Sequence, residues 1–455
     1  MENQTRREFI KKSIAGSAGL AVGAGFLFNS SCKGANDKIV LAVIGAGSWG
    51  MTGVTNCCKV NEGVTIKTLC DVNKLRLERS AALVEKEFGY RPSVTENMKE
   101  VLDDKDVDAV WVATPEHWHA LATIWACQAR KDVYVEKNPT LNIWEGRKMI
   151  EAAKKYKRIV QVGFQNRSAA YGFTAREYIA SGKLGKVVAV KCYNMLGGSK
   201  WTELPETPVP SWLDWDKWQG PAAARAFTPS IVSETGRGDW GCYWAYGGGS
   251  LSDDASHVMD FARLALGDPP HPKSVFGWGG NFAFGGTRET PEFQSIVYDF
   301  GDFTLECNSG YSTNYMIKTP TEIRMDKTRF PNWSNNATRT EIYGTEGFMY
   351  LGRMGGGWQV MGPNNEIVAQ DGGIFPLNEH HVDFIQSLRS RKQPNGNVEE
   401  CHRSATLVHL GNIAYRTGNK QLFFDGNTEK FLNNDQANAF ARGTYRKGYE
   451  IPEKV

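Results

Sequence analysis

Apolar positions along this chain cluster into short continuous runs separated by amphipathic stretches. Lys38-Ile39-Val40-Leu41-Ala42-Val43-Ile44 has strand length, and Val64-Thr65-Ile66-Lys67-Thr68-Leu69-Cys70 forms a second strand that ends in Asp71. Residues 75–88 then predict a helix, 107–113 a buried strand, 120–129 a helix and 132–136 another strand, with Gln161-Val162-Gly163 as a fifth. Apolar strands that alternate with helices predict a parallel sheet covered on both faces, so the expected class is α/β with a doubly wound N-terminal sheet.

Before this pattern starts, Thr5-Arg6-Arg7-Glu8-Phe9-Ile10-Lys11-Lys12 precedes an almost wholly apolar stretch from Ile14 to Phe28. That stretch is about 15 residues, short of the roughly 20 that a spanning helix needs, and predicts an export signal rather than an anchor. Its paired arginines resemble a twin-arginine signal, used for proteins exported already folded. Ser30-Ser31-Cys32-Lys33 looks like a lipoprotein cleavage site with Cys32 as the acylated residue, although Asn29 departs from the usual aliphatic residue; simple cleavage nearby is the alternative. The expected location is the periplasm or cell envelope, with a lipid anchor as the sole membrane contact. A basic N-terminus on a cytoplasmic protein is the competing reading.

At 455 residues the chain is expected to hold two domains behind this leader: an export segment over 1–35, a dinucleotide-binding domain over 36–163 and a substrate domain over 164–455. A net charge of +3 without any basic run argues against nucleic acid. The nine cysteines form no CxxC pair and no Cys/His cluster at zinc spacing, so neither a metal site nor a disulfide framework is expected.

Gly45-Ala46-Gly47-Ser48-Trp49-Gly50 directly follows the first strand at GxGxxG spacing. Gly45 would make the tight turn, Gly47 admit the pyrophosphate and Gly50 let the helix pack, while the next segment supplies a helix N-terminus for the phosphates. Asp71, 21 residues beyond Gly50, is placed for the adenosine ribose hydroxyls, and its charge would repel a 2′-phosphate, which favours NAD over NADP. Thr114-Pro115-Glu116-His117-Trp118-His119 follows the third strand and Glu136-Lys137 closes the fourth, both at the carboxyl edge where ligands bind.

These motifs, with Gly247-Gly248-Gly249 followed by Asp253 and His257, and with Cys401-His402-Arg403-Ser404-Ala405-Thr406, resemble the Gfo/Idh/MocA oxidoreductase family over nearly the whole chain after the leader. The resemblance implies a Rossmann domain followed by an α/β domain with an open, mainly antiparallel sheet that often mediates dimer or tetramer contacts. Residues 187–193, 295–300 and 303–307 read as strands suited to such a sheet. One departure is that Asn138 stands between Lys137 and Pro139, where the family usually has Pro directly after Glu-Lys, so the loop that aims Lys137 is expected to be shaped differently.

Oxidation of a secondary alcohol needs a base, a cation for the developing oxyanion and a group to orient the base. His257 is assigned as base, Lys137 as the polarising cation, and Asp253, four residues before His257, as the group that orients the imidazole or contacts a substrate hydroxyl; the resemblance implies the same three positions. Thr114, Pro115, His119, Glu136 and Gln165 join the cofactor set, and Asn166, Arg167, Trp201 and His402 are candidate substrate contacts. Trp201, Trp212, Trp215 and Trp218 mark an aromatic insertion that would stack on sugar faces, cover the cleft or pack on itself. The expected activity is NAD-dependent oxidation or reduction of a sugar, glycoside or polyol, with tightly retained cofactor. The alternatives are glycoside cleavage by transient oxidation and elimination, and a non-catalytic binding protein.

Overall fold

A computed structural model describes residues 38–455 except 235 and 237. The leader, with its paired arginines and Cys32, lies outside the described residues. Among the described residues no helix is long and apolar enough to cross a membrane.

The first sheet comprises β1 (Ile39–Ile44), β2 (Val64–Cys70), β3 (Ser93–Thr95), β4 (Ala109–Val112), β5 (Asp132–Val135) and β6 (Val160–Val162). Its order is β3-β2-β1-β4-β5-β6, all parallel, which is the doubly wound dinucleotide-binding order. The short β3 escapes the apolar pattern because it is an edge strand with two of its three residues exposed. Local chemistry sets the helix ends. Asn73 caps helix Lys74–Phe88 by accepting from the Leu75 and Arg76 N–H groups, and Gly89 closes it with a left-handed φ of 76°. At the centre of one face Trp111 stacks on Tyr134 across β4 and β5, with ring centroids 3.7 Å apart.

The second sheet has ten strands: β7 (Val187–Met195), β8 (Ser274–Gly280), β9 (Phe293–Asp299), β10 (Thr304–Gly310), β11 (Arg339–Gly344), β12 (Phe348–Gly352), β13 (Trp358–Met361), β14 (Ile367–Asp371), β15 (Leu422–Asp425) and β16 (Lys430–Phe431). Its order is β14-β13-β12-β11-β7-β10-β9-β8-β15-β16, antiparallel except for β7 beside β10. Alternation along β7, β9 and β10 buries Val190, Cys192, Ile296, Tyr298, Leu305 and Cys307. They meet helices Ser256–Ala265 and Val398–Arg416. The opposite face is open and carries Phe276, Trp278 and Val297.

Residues 38–455 form one compact unit. Helix Leu377–Ser390 returns to cover the first sheet, where His381 and Phe384 meet the Trp111 and Tyr134 rings edge-on. Gly396 O accepts from the Val162 N–H and His380 Nε2 lies 3.0 Å from Val162 O. Residues 445–455 also pack on the first domain. Ile451 and Val455 join its core, and Tyr445 donates to Glu145 Oε1 at 3.0 Å.

Candidate active site

The carboxyl edge of the first sheet opens into a cleft of about 1400 Å³. Gly45, Gly47, Ser48, Trp49, Gly50, Asp71, Thr114, Pro115 and Glu136 line one part of it, and Lys137, Asp253 and His257 line it where the second domain meets the first.

The Gly-rich loop fits a dinucleotide. A Cβ on Gly45 would lie 2.6 Å from the Ala113 carbonyl carbon, and one on Gly50 2.7 Å from Gly45 O, so both glycines are needed for packing. A Cβ on Gly47 would meet nothing within 4 Å, which leaves space where a pyrophosphate approaches. Helix Ser48–Val60 starts there with Gly47 as an N-cap that carries no side-chain bond, so its first N–H groups have no intrahelical acceptor and can face an anion. Asp71 lines the same cleft with its carboxylate fixed by the N–H groups of Ala46 and Asn73, both at 2.9 Å. Burial raises its pKa, and Arg76 and these N–H groups oppose the rise. Arg76 is itself occupied, donating to Ser233 O and Gly236 O of the aromatic insertion.

At the other end Lys137 Nζ donates to Asp253 Oδ1 at 3.0 Å and to Asp253 O at 2.9 Å. The Lys137–Asn138 bond is cis, and Asn138 is fully buried with its carbonyl 2.7 Å from His119 Nδ1. His119 Nε2 lies 2.7 Å from Thr114 O, so this ring braces the loops after β4 and β5 from beneath and does not line the cleft. Only an imidazolium could donate to both carbonyls, yet burial pulls the His119 pKa down to about 4. We favour the neutral ring, because desolvation of a fully buried cation outweighs one missing proton between close dipoles. Glu136 accepts from the Lys137 N–H, and burial pushes its pKa up to about 7.

His257 is 3% exposed, edge-on to Phe164, and its pKa is lowered well below the usual imidazole value by burial and then by Arg353 and Lys137, with Asp253 opposing. The orienting bond expected from a helical turn between Asp253 and His257 is not made to Nδ1, which has no partner. The reason is local: Leu251–Ala255 is a π-helical turn and Asp253 has a non-helical ψ of −107°, which directs its carboxylate to Lys137 and to the Tyr311 hydroxyl at 3.4 Å.

Several expected substrate contacts lie elsewhere. Arg167 is 2% exposed and ion-paired to Asp260 at 2.7 Å and Asp268 at 3.0 Å, a structural role. Asn166 is buried and donates to Arg353 O at 2.6 Å. Gln165 is buried beside the Tyr134 hydroxyl and does not line the cleft. Trp201 donates to Asp239 Oδ2 within the insertion. His402 is buried in a cluster with His271 and Glu429, where Arg147 also donates to Glu429 Oε1 at 2.5 Å. These three donors satisfy that oxygen without an ion. The insertion packs chiefly on itself, with Trp215 and Trp218 stacked at 4.9 Å, and it contributes Trp218 and Trp240 to the cleft.

Sequence reasoning missed Glu116, Lys318, Arg324 and Arg353, and set aside Asp254. All five line the cleft. Glu116 accepts from the Gly248 N–H and the Ser252 hydroxyl, which ties the loop after β4 to the Gly247 motif. Asp254 pairs with Lys318 and, at 3.2 Å, with Arg353, and these cations hold its pKa low against the effect of burial.

Comparison with known proteins agrees with this architecture. The model of an oxidoreductase family with an NAD-binding Rossmann fold matches residues 39–164, and that of its C-terminal α/β domain matches 175–275 and 353–451. A levoglucosan dehydrogenase from Pseudarthrobacter phenanthrenivorans is 27% identical over 278 residues, 59% of this chain and 60% of the relative. An alpha-N-acetylgalactosaminidase from Shewanella oneidensis is 30% identical over 176 residues, 34% of this chain and 38% of the relative. Both matches thus cover less than two thirds of the relatives' lengths. The crystal structure of the WlbA dehydrogenase from Bordetella pertussis, in complex with NADH and UDP-GlcNAcA, shares the fold at 18% identity and a TM-score of 0.60, covering 85% of this chain and 99% of that one.

Proposed function

The chain belongs to the Gfo/Idh/MocA oxidoreductase family, and on that premise we propose that it uses NAD to oxidise or reduce a secondary hydroxyl or ketone of a sugar, glycoside or polyol. The observation that carries this is the Lys137–Asp253 ion pair beside a buried His257, in the same cleft as an open Gly47 cradle. Bound NAD supplies the two-electron acceptor or donor. Burial and the surrounding cations keep His257 neutral, so its ring nitrogen can take the hydroxyl proton, and Asp253 offsets part of the cost of the resulting cation. Lys137, fixed by two bonds to Asp253, points an ammonium at the alkoxide that develops as this proton leaves. Thr114, Pro115 and Glu136 complete the cofactor wall, braced from beneath by His119.

The galactosaminidase relative supports a second reading, in which transient oxidation acidifies a ring proton, the aglycone is eliminated and the ring is re-reduced. One experiment separates them. Nucleotide released by denaturing purified protein is identified by mass, and the native protein is incubated with a panel of sugars and glycosides. Retained NAD with ketosugar products supports the first reading, and free sugar without net change in cofactor supports the second. Protein that neither carries nor binds NAD refutes both. In this proposal the leader exports the protein to the cell envelope, and the open face of the second sheet, with Phe276 and Trp278, pairs copies of the chain.

A further inference from the structure

The wall of the cleft around Asp254 holds more positive charge than its carboxylates balance. Lys137 is matched by Asp253, whereas Lys318 and Arg353 share the single carboxylate of Asp254 and Arg324 has no ion pair among the described residues. Of the other carboxylates lining the cleft, Glu136 accepts from the Lys137 N–H, Glu116 from Gly248 and Ser252, and Asp71 from the Gly-rich loop, while Glu96 pairs with Lys74 and Asp103 ends helix Met98–Asp103 beside the first sheet. Arg353 is 5% exposed, lines the cleft, and its Nε has no hydrogen-bond partner. A buried guanidinium with an unused donor beside a second guanidinium is an unfavourable arrangement until an anion enters. Arg324 feels this directly: burial lowers its pKa and the charge of Arg353 lowers it further, with Asp254 only partly opposing.

Both guanidiniums are held in place. Arg324 Nε donates to Thr319 O at 2.6 Å and Arg324 O accepts from the Phe375 N–H, while Arg353 O accepts from Asn166 and the Arg353 guanidinium lies over the Phe375 ring. Planar, pre-set guanidiniums match the oxygens of a carboxylate or phosphate better than they match a neutral hydroxyl.

We propose that Lys318, Arg324 and Arg353 form an anion subsite, and that the substrate is a sugar bearing a carboxylate or phosphate rather than a neutral sugar. This rests on the oxidoreductase reading above and narrows its substrate class. The subsite lies in the same cleft as Lys137 and His257, so the anionic group anchors the sugar while a ring hydroxyl is presented to these two residues.

The test uses NADH-loaded protein, which cannot oxidise the probes. Methyl glucuronide, glucose 6-phosphate and methyl glucoside are titrated by calorimetry against wild type, R324Q and R324K, and quenching of tryptophan fluorescence by NADH verifies that each variant still folds and holds cofactor. A charged hydrogen-bonded contact should make the carboxylate or the phosphate probe bind tighter than the glucoside by a factor on the order of 10 to 10². R324Q should erase this gap and R324K retain part of it. Tighter binding of the glucuronide alone identifies a sugar acid, and of the phosphate alone a sugar phosphate. If all three probes bind alike or not at all, or if the gap survives R324Q, the subsite is refuted. Turnover with NAD is then measured on the same probes. Selective anion binding without oxidation would leave the subsite standing and remove the oxidoreductase reading, and equal oxidation of neutral and anionic sugars would do the reverse.

Discussion

Two glycines two residues apart should respond to the same substitution in opposite ways. At Gly45 an alanine Cβ would fall 2.6–2.7 Å from Ala113 C, Ala113 O and Thr114 N, and φ is +92°, a region that L residues avoid. The backbone has little room to yield, because β1 is bonded to β2 on one side and β4 on the other. A left-handed residue costs roughly 1–2 kcal/mol and forced overpacking about 1–3 kcal/mol, so G45A should lose ~2–5 kcal/mol of stability. At Gly47 the same Cβ touches no protein atom and φ is −73°, so G47A should cost only the roughly 1 kcal/mol by which alanine is a poorer N-cap than glycine. What it does fill is the space left for the pyrophosphate, and a fall in NAD affinity of about 10- to 100-fold, equivalent to roughly 1.4–2.8 kcal/mol, is expected. Thermal unfolding with and without NAD, paired with NAD titration by tryptophan fluorescence, reads both quantities. If G47A binds NAD as wild type does, the assignment of this loop to the cofactor is wrong. If G45A melts at the wild-type temperature, the packing argument is wrong.

Replacement of His257 by Ala should leave NAD binding intact and cut turnover by a factor on the order of 10² to 10⁴; unchanged turnover would exclude it as the base. Because its pKa is lowered, the acid limb of kcat/KM should lie well below pH 6.5, and a limb at or above 6.5 would contradict the buried, cation-flanked ring. Folding stability should also fall as pH drops from about 6 to 4.5, by roughly 3 kcal/mol per pH unit. In that window His117, His119, His380, His381 and His409, with folded values of about 3 to 4, take up protons only on unfolding. The opposing set is smaller: Glu136, Glu145 and Asp383, raised to about 7, 7 and 6, hold protons in the folded state that they release on unfolding. Urea unfolding as a function of pH measures the slope, and a flat profile would contradict the burial of these histidines. Finally, C32A should move the protein from the membrane to the soluble envelope fraction if Cys32 is acylated, and unchanged fractionation would favour simple cleavage.

Much of this site is legible in the sequence, for a physical reason. A nucleotide cradle needs a strand, a glycine turn and a helix in unbroken succession, so Gly45 to Gly50 appear as one word, and strand ends place Thr114 and Lys137 at the same edge. Asp253 and His257 are also neighbours in sequence, but the partner of Asp253 could not be read, because a π-helical turn breaks the period on which same-face arguments rest. The charge around Asp254 was invisible for a different reason. Lys318 and Arg353 come from loops and Arg324 from a single helical turn, Thr321–Arg324, all 64 or more residues from Asp254 and too short to show periodicity. Arg167 shows the converse: beside the Gln165-Asn166 pair it looks like a polar site, and only the tertiary contacts reveal Asp260 and Asp268 as its partners. In the second sheet, β7, β9 and β10 alternate and were readable, whereas β11 to β14 carry buried polar residues such as Thr340, Glu341 and Gln359 that blur the alternation.

Residues 445–455 join the first domain through Tyr445, Tyr449, Ile451 and Val455, and Lys148 and Lys155 donate to the carbonyls of Glu453 and Val455. The cofactor-binding layer is therefore assembled from segments some 300 residues apart along the chain. A chain emerging vectorially from a ribosome could not finish its nucleotide cleft until nearly all the described sequence had been synthesised. If the leader exports the chain as proposed, transport as a folded body would let this cleft form around its nucleotide before the protein leaves the compartment of synthesis.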